Sequence, residues 1–204
     1  MIDRRNDTGY VVPTPITTPA GLQWIRTGLF SLIGASFFAV LTFIGADIRI
    51  PLYPVPITLQ TLFVLLSGAV LGSRAGTLSQ SIYLTMGAFG IPLFAGTAAG
   101  VAVFSGPTGG YLLGFLPAAF VVGLLIRKNT NFVWQLSVFA LGSLLILGLG
   151  VIHLSLVLTH DIRSALAVGF FPFLLGDAVK ILVATSIYRS FSSLRRHRRD
   201  HTPV

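Results

Sequence analysis

Asp177 and Lys180 are the residues of this 204-residue chain with the clearest chemical capacity. They lie in the apolar run Pro172-Phe173-Leu174-Leu175-Gly176-Asp177-Ala178-Val179-Lys180, a segment otherwise suited to lipid or packed protein. A charge at bilayer depth costs roughly 2.5–3.5 kcal/mol on insertion scales, so such a residue is seldom kept without a partner or a task. Three residues apart on a helix, the two side chains share a face and can pair. A buried ion pair that only ties helices together is the plain alternative. A ligand role is favoured: lysine brings three donors and a positive charge for a carboxylate, and aspartate brings acceptors for N–H groups.

Both residues need a bundle of helices to hold them. The chain is 53% apolar and 10% charged, with a mean hydropathy of +0.84. A soluble domain carries about 25% charged residues, so an integral membrane protein is expected. With no cysteine, disulfides, thiolate metal sites and cysteine nucleophiles are excluded. The net charge of +8 owes much to Arg189, Arg195, Arg196, Arg198 and Arg199. A basic tail beside a hydrophobic span is a topology signal and a contact for anionic lipid, not a nucleic-acid site.

Hydropathy predicts an all-α bundle of six spans near 28–46, 59–73, 75–94, 108–126, 131–157 and 170–189. A crossing helix needs about 20 residues, so the second span is short and the fifth overlong. Residues 164–171 suit a short interfacial helix, and Pro172 suits the first turn of the last span. The expected organisation is a cytoplasmic segment 1–27, uncleaved, a membrane domain 28–189, and a basic cytoplasmic tail 190–204. With both termini inside, eleven Arg and Lys face the cytoplasm (Arg4, Arg5, Arg26, Arg74, Arg127, Lys128 and the five tail arginines) and two, Arg49 and Arg163, face outward. That asymmetry follows the positive-inside rule. It puts the proline-rich loop 47–60 and the glycine-rich stretch 95–111 outside, above the charged pair.

Other motifs are weaker. Ala35 and Ala39 form a small-xxx-small step, as do Gly72/Gly76 and Gly110/Gly114, and internal packing is the reading of any one alone. Gly96, Gly100, Gly106, Gly109 and Gly110 match neither the phosphate-loop nor the dinucleotide pattern. His153, His160, His197 and His201 form no familiar metal set, so no metal or cofactor is expected. Tyr53, Phe94, Phe104 and Tyr111 flank the outer loops, either as an interfacial aromatic belt or as pocket lining.

Four stretches taken together resemble the BioY family, the biotin-binding S components of energy-coupling factor (ECF) transporters. They are Pro54-Val55-Pro56-Ile57-Thr58-Leu59-Gln60-Thr61, Gly87-Ala88-Phe89-Gly90-Ile91-Pro92-Leu93-Phe94-Ala95-Gly96, Gly106-Pro107-Thr108-Gly109-Gly110-Tyr111-Leu112-Leu113-Gly114-Phe115, and the run from Pro172 to Lys180. The resemblance covers about residues 28 to 189. It implies a six-helix bundle that takes biotin from outside beneath the loop between the first two spans. It also implies a transmembrane T component and a pair of ATPase subunits as partners, with Ala35 and Ala39 packing against the T component. The expected setting is a bacterial or plastid-type membrane, the bacterial inner membrane foremost. Leu175 stands where family members often have proline, and Thr97-Ala98-Ala99 replaces a more glycine-rich stretch.

Biotin's chemistry suits the residues. One of Lys180 and Asp177 would meet its carboxylate or ureido carbonyl and the other a ureido N–H, with both assignments open. Thr58, Gln60 and Thr97 are further hydrogen-bond candidates, and Tyr53 and Tyr111 are candidate aromatic contacts. A stand-alone facilitator, or an S component for another small carboxylated vitamin, is the alternative. An enzyme using Asp177 lacks a second clustered catalytic group.

Overall fold

The computed structural model describes the backbone of residues 20–200 and side chains from 28 to 193; the lead-in with Arg4 and Arg5, the side chain of Arg26, and His201 lie outside the described residues. The chain divides into two units, Met1–Phe30 and Ser31–Val204, and the second holds the features below.

The described residues are mostly helical. Helix α1 runs Ala20–Asp47, α2 Gln60–Leu71, α3 Ser73–Ala88, α4 Gly109–Leu125, α5 Phe132–Leu154, α6 Ile162–Gly169 and α7 Phe171–Asp200. Among the described residues, four segments are long and apolar enough to cross a membrane: Gly28–Asp47, Gly109–Lys128, Phe132–Thr159 and Phe171–Ser193. Helices α2 and α3, of 12 and 16 residues, are shorter than a full crossing. They are split at Gly72, whose φ of 92° lies where glycine is favoured.

The expected short interfacial helix is α6. Its N-cap is Asp161, whose carboxylate accepts from Ser164 N at 2.8 Å and Ser164 Oγ at 2.9 Å. The helix expected over 75–94 ends at Ala88, because Gly90 at φ 96° and Pro92 break the turn geometry. Helix α1 begins at Ala20, and α7 continues to Asp200 through serines and arginines that a helix tolerates. The loop of prolines forms a two-stranded antiparallel ribbon, β1 Arg49–Ile50 against β2 Ile57–Thr58.

Helix α4 is the core of the bundle, with 61% of its span buried against 33–39% for the other three. It packs on α2, α3 and α5, while α7 closes the ring against α2, α5 and α6. Small residues allow the closest approach. A Cβ on Gly68 would lie 2.3 Å from Ala119 O, and one on Gly76 would lie 2.7 Å from Gly68 Cα, so α2 touches α3 and α4 nearly backbone to backbone.

Ala35 and Ala39 face inward, at 0% and 6% exposure. On the same stretch of α1, Gly34 abuts Leu71, and Thr42 bonds Gln80 of α3 at 3.5 Å. The chain's own helices cover Ala35 and Ala39, and bulky Ile33, Phe37, Val40 and Ile44 make up the uncovered face of α1.

Candidate functional site

The polar residues of the candidate site converge at one end of α2 and in the first third of α7. Asp177 and Lys180 are buried, at 4% and 9% exposure, and pair at 2.9 Å between Oδ1 and Nζ. Neither relies on the other alone. Lys180 Nζ also donates to Thr61 Oγ1 of α2 at 3.0 Å, and Ser143 Oγ of α5 donates to Asp177 Oδ2. The pair made within α7 is thereby fastened to two neighbouring helices, which is how a buried charge is kept affordable. An ammonium has three donors, so Lys180 retains one after Asp177 and Thr61 are served.

A second polar group begins at β2. Thr58 Oγ1 donates to Gln60 Oε1 at 2.9 Å and accepts from Gln60 N at 3.3 Å. Gln60 Nε2 donates to Tyr83 OH at 2.6 Å, and Tyr83 OH donates to Leu93 O at 3.0 Å. A hydrogen-bonded chain thus runs from the ribbon through α2 and α3 to the loop after α3.

These groups border a cavity with polar and apolar sides. Asp177, Lys180, Gln60, Thr61 and Thr58 supply its polar side. Its walls are apolar: Phe115 and Leu112 of α4, Ile146 and Leu147 of α5, and Phe173 of α7. Loop residues Val55, Pro56, Phe94, Ala95 and Ala98 cover it. The lining is that of a site for one small organic molecule with a few polar groups.

Tyr111 contributes its ring rather than its hydroxyl. The OH donates to Gly169 O at 2.8 Å, and the ring stacks on Phe173 with centroids 5.9 Å apart. Phe94 is pocket lining, stacked edge-on to Tyr83 and Phe104. Two candidates lie elsewhere. Tyr53 is 88% exposed and does not line the cavity. Thr97 is exposed in a left-handed turn at φ 59°, with its hydroxyl bonded to Gly96 O, while Ala95 and Ala98 on either side face the cavity. Sequence reasoning missed Ser143 and underused Thr61. The available signal was a hydroxyl within a span, at a helical spacing that shares the face of other site residues.

The BioY family profile matches residues 20–197. The chain belongs to the BioY family. It is 49% identical over 156 residues to "Biotin transporter BioY" of Thermotoga maritima, covering 76% of this chain and 92% of that protein. It is 37% identical over 179 residues to "Biotin transporter BioY" of Rhodobacter capsulatus, covering 81% and 93%. Among solved structures it is similar to the S-component for biotin from an ECF-type ABC transporter, with a TM-score of 0.76, 27% identity, and 82% and 93% of the two chains covered. Membership in this family makes the chain a multi-pass membrane protein of a transporter family that is not catalytic. Leu175, the departure from the family's usual proline, is exposed and does not touch the cavity.

Proposed function

We propose that the chain is the biotin-capturing subunit of an ATP-driven vitamin importer, energised by a separate T component and two ATPase subunits. The observation that carries the reading is the buried Asp177–Lys180 pair opening into a mostly apolar cavity in a BioY-family chain. Biotin pairs an apolar fused ring with a cyclic urea and a carboxylate. The aromatic and aliphatic walls suit the ring, and the remaining Lys180 donor and the carboxylate oxygens of Asp177 suit its polar ends. Gln60 and Thr58 extend the polar side.

Six crossings are proposed, by α1, α2, α3, α4, α5 and α7, with α6 at the interface and both termini cytoplasmic. The short α2 and α3 are compatible with this, because irregular backbone at membrane depth is tolerated where it lines a protein cavity. The loop after α3, with Phe94 and Ala98, does so. The asymmetry of eleven basic residues against two supports the orientation, and the bacterial sources of the similar transporters support a bacterial inner membrane as the setting.

The test is equilibrium binding to the purified chain, comparing biotin with lipoate, a carboxylate of similar tail that lacks the urea. Saturable biotin binding that lipoate does not displace is expected. Absence of saturable biotin binding in a folded sample, or equal binding of lipoate, refutes the assignment. ATP-independent uptake into vesicles containing this chain alone would instead make it a facilitator.

A further inference from the structure

A second concavity lies far from the first, lined by Thr130, Gln135, Arg189, Ser192 and Ser193. Arg189 follows Asp177 by twelve positions on α7, about 18 Å along the helix axis. Three spans begin or end beside it, at Lys128, Phe132 and Ser193. Its depth is therefore that of lipid headgroups.

The chemistry there is incomplete. Gln135 is 3% exposed, yet its Oε1 has no hydrogen-bond partner among the described residues. A buried acceptor with no donor is unfavourable, so the pocket calls for a group that brings one. Arg189 is held in place by a bond from Nη1 to Thr130 O at 3.3 Å and by its guanidinium lying 5.6 Å from the Phe132 ring centroid. No carboxylate pairs with it among the described residues. The sequence has no Asp or Glu between Asp47 and Asp161, while Arg127 and Lys128 flank the pocket's turn and four more arginines follow on α7. The hydroxyls of Ser192 and Ser193 donate to Arg189 O and Ser190 O, which leaves their oxygens as acceptors. The dipole of the 23-residue α5 adds positive potential at the same point.

We propose that this pocket binds the headgroup of an anionic phospholipid that carries free hydroxyls, of the phosphatidylglycerol type. The phosphate meets Arg189 at the N-terminus of α5. A glycerol hydroxyl donates to Gln135 Oε1, with the Ser192 oxygen as a further acceptor. The exposed apolar side chains of Phe132 and Val133 lie where an acyl chain passes. Phosphatidylcholine has neither the net charge nor a hydroxyl donor. Inorganic phosphate shares the anion chemistry but has no chain to hold it at the interface.

Native mass spectrometry of the full chain, delipidated in detergent, tests the site with four probes: phosphatidylglycerol, phosphatidylmethanol (the same charge without the hydroxyls), phosphatidylcholine and inorganic phosphate. Wild type should retain phosphatidylglycerol over phosphatidylcholine. Arg189→Gln should reduce that retention about fivefold, and Arg189→Lys should restore most of it. Gln135→Leu should erase the preference for phosphatidylglycerol over phosphatidylmethanol, separating the hydroxyl contact from the charge. Thermal unfolding identifies any variant that is misfolded, and the Lys variant keeps the charge test intact if the Gln variant is. Equal retention of phosphatidylglycerol and phosphatidylcholine, or no effect of Arg189→Gln in a folded protein, overturns the proposal. Displacement of phosphatidylglycerol by millimolar inorganic phosphate would overturn the lipid assignment in favour of a soluble anion.

Discussion

Replacing Lys180 with Met tests which end of the ligand lies over the charged pair. Lys180 spends two donors on Asp177 at 2.9 Å and Thr61 at 3.0 Å, so a single N–H remains for biotin. One charge-assisted hydrogen bond is worth about 1.5–3 kcal/mol, roughly ten- to a hundredfold in affinity. The informative comparison is biotin against its carboxamide. If the donor meets the carboxylate, wild type prefers biotin by about tenfold or more, and Lys180→Met loses most of that preference. Met fills most of the lysine stem, so the apolar contacts survive. The same substitution leaves the Asp177 carboxylate with Ser143 as its remaining side-chain partner. Breaking a buried pair in this way destabilises by about 3–5 kcal/mol, so thermal unfolding must accompany calorimetric titration. The double variant Asp177→Asn with Lys180→Met removes the stranded charge and separates stability from recognition. Equal loss for both ligands would move Lys180 to the ureido carbonyl. No loss for either in folded protein would refute the reasoning and leave the pair purely structural.

Tyr83→Phe removes both the 2.6 Å bond from Gln60 and the 3.0 Å bond to Leu93 O, so stability should fall by about 1–3 kcal/mol and amide exchange should quicken in the loop 89–100; unchanged protection there would dismiss the link between α2, α3 and the loop. Gly68→Ala drives a Cβ to 2.3 Å from Ala119 O and should cost about 1–3 kcal/mol, whereas Gly148→Ala meets nothing within 4 Å and should stabilise by about 0.5–1 kcal/mol; thermal unfolding of the two side by side checks the backbone-contact reading. A cysteine replacing Thr97 should react with an impermeant reagent from outside and one replacing Asn129 should not, and labelling in the opposite sense overturns the orientation. Ala39→Trp should disrupt the bundle itself, because Ala39 is 6% exposed within it; a well-folded variant that bound biotin normally but lost its coupling partners would assign this helix face to the coupling interface.

Hydropathy and charge made much of the scaffold legible. The apolar stretches are the helices, the short second one is α2, and the polar break before Pro172 holds α6. Asp177 and Lys180 could be paired from their spacing because an i,i+3 contact is local. What stayed hidden depends on direction. Helix α1 is apolar on every side, so its composition does not say whether Ala35 and Ala39 face protein or lipid. Ser143 and Thr61 carry only the signal of their spacing, since a hydroxyl in a span can equally bond its own helix backbone, as Thr185 does to Ile181 O at 2.7 Å. Whether it does so or reaches across is decided by the neighbouring helix. Tyr53 and Thr97 fall in loops, where the backbone turn and not the residue type sets which way a side chain points.

The division between a structural and a ligand-binding ion pair is too sharp for this site. A pair formed within one helix needs no partner helix to exist, yet here its atoms are tied to α2 through Thr61 and to α5 through Ser143. Those bonds fix the rotamers of both charged side chains, so little entropy remains to be lost when a ligand arrives. They also fix the spacing of α2, α5 and α7, the helices whose side chains form much of the cavity wall. Removing either charge therefore alters pocket shape as well as pocket chemistry. Thr61→Val and Ser143→Ala provide a gentler separation: each keeps the ion pair and cuts one tie to a wall. If ordering by these ties matters, both variants should weaken biotin and its carboxamide by the same factor while leaving the preference between them unchanged. A variant that changed the preference itself would place its hydroxyl on the ligand.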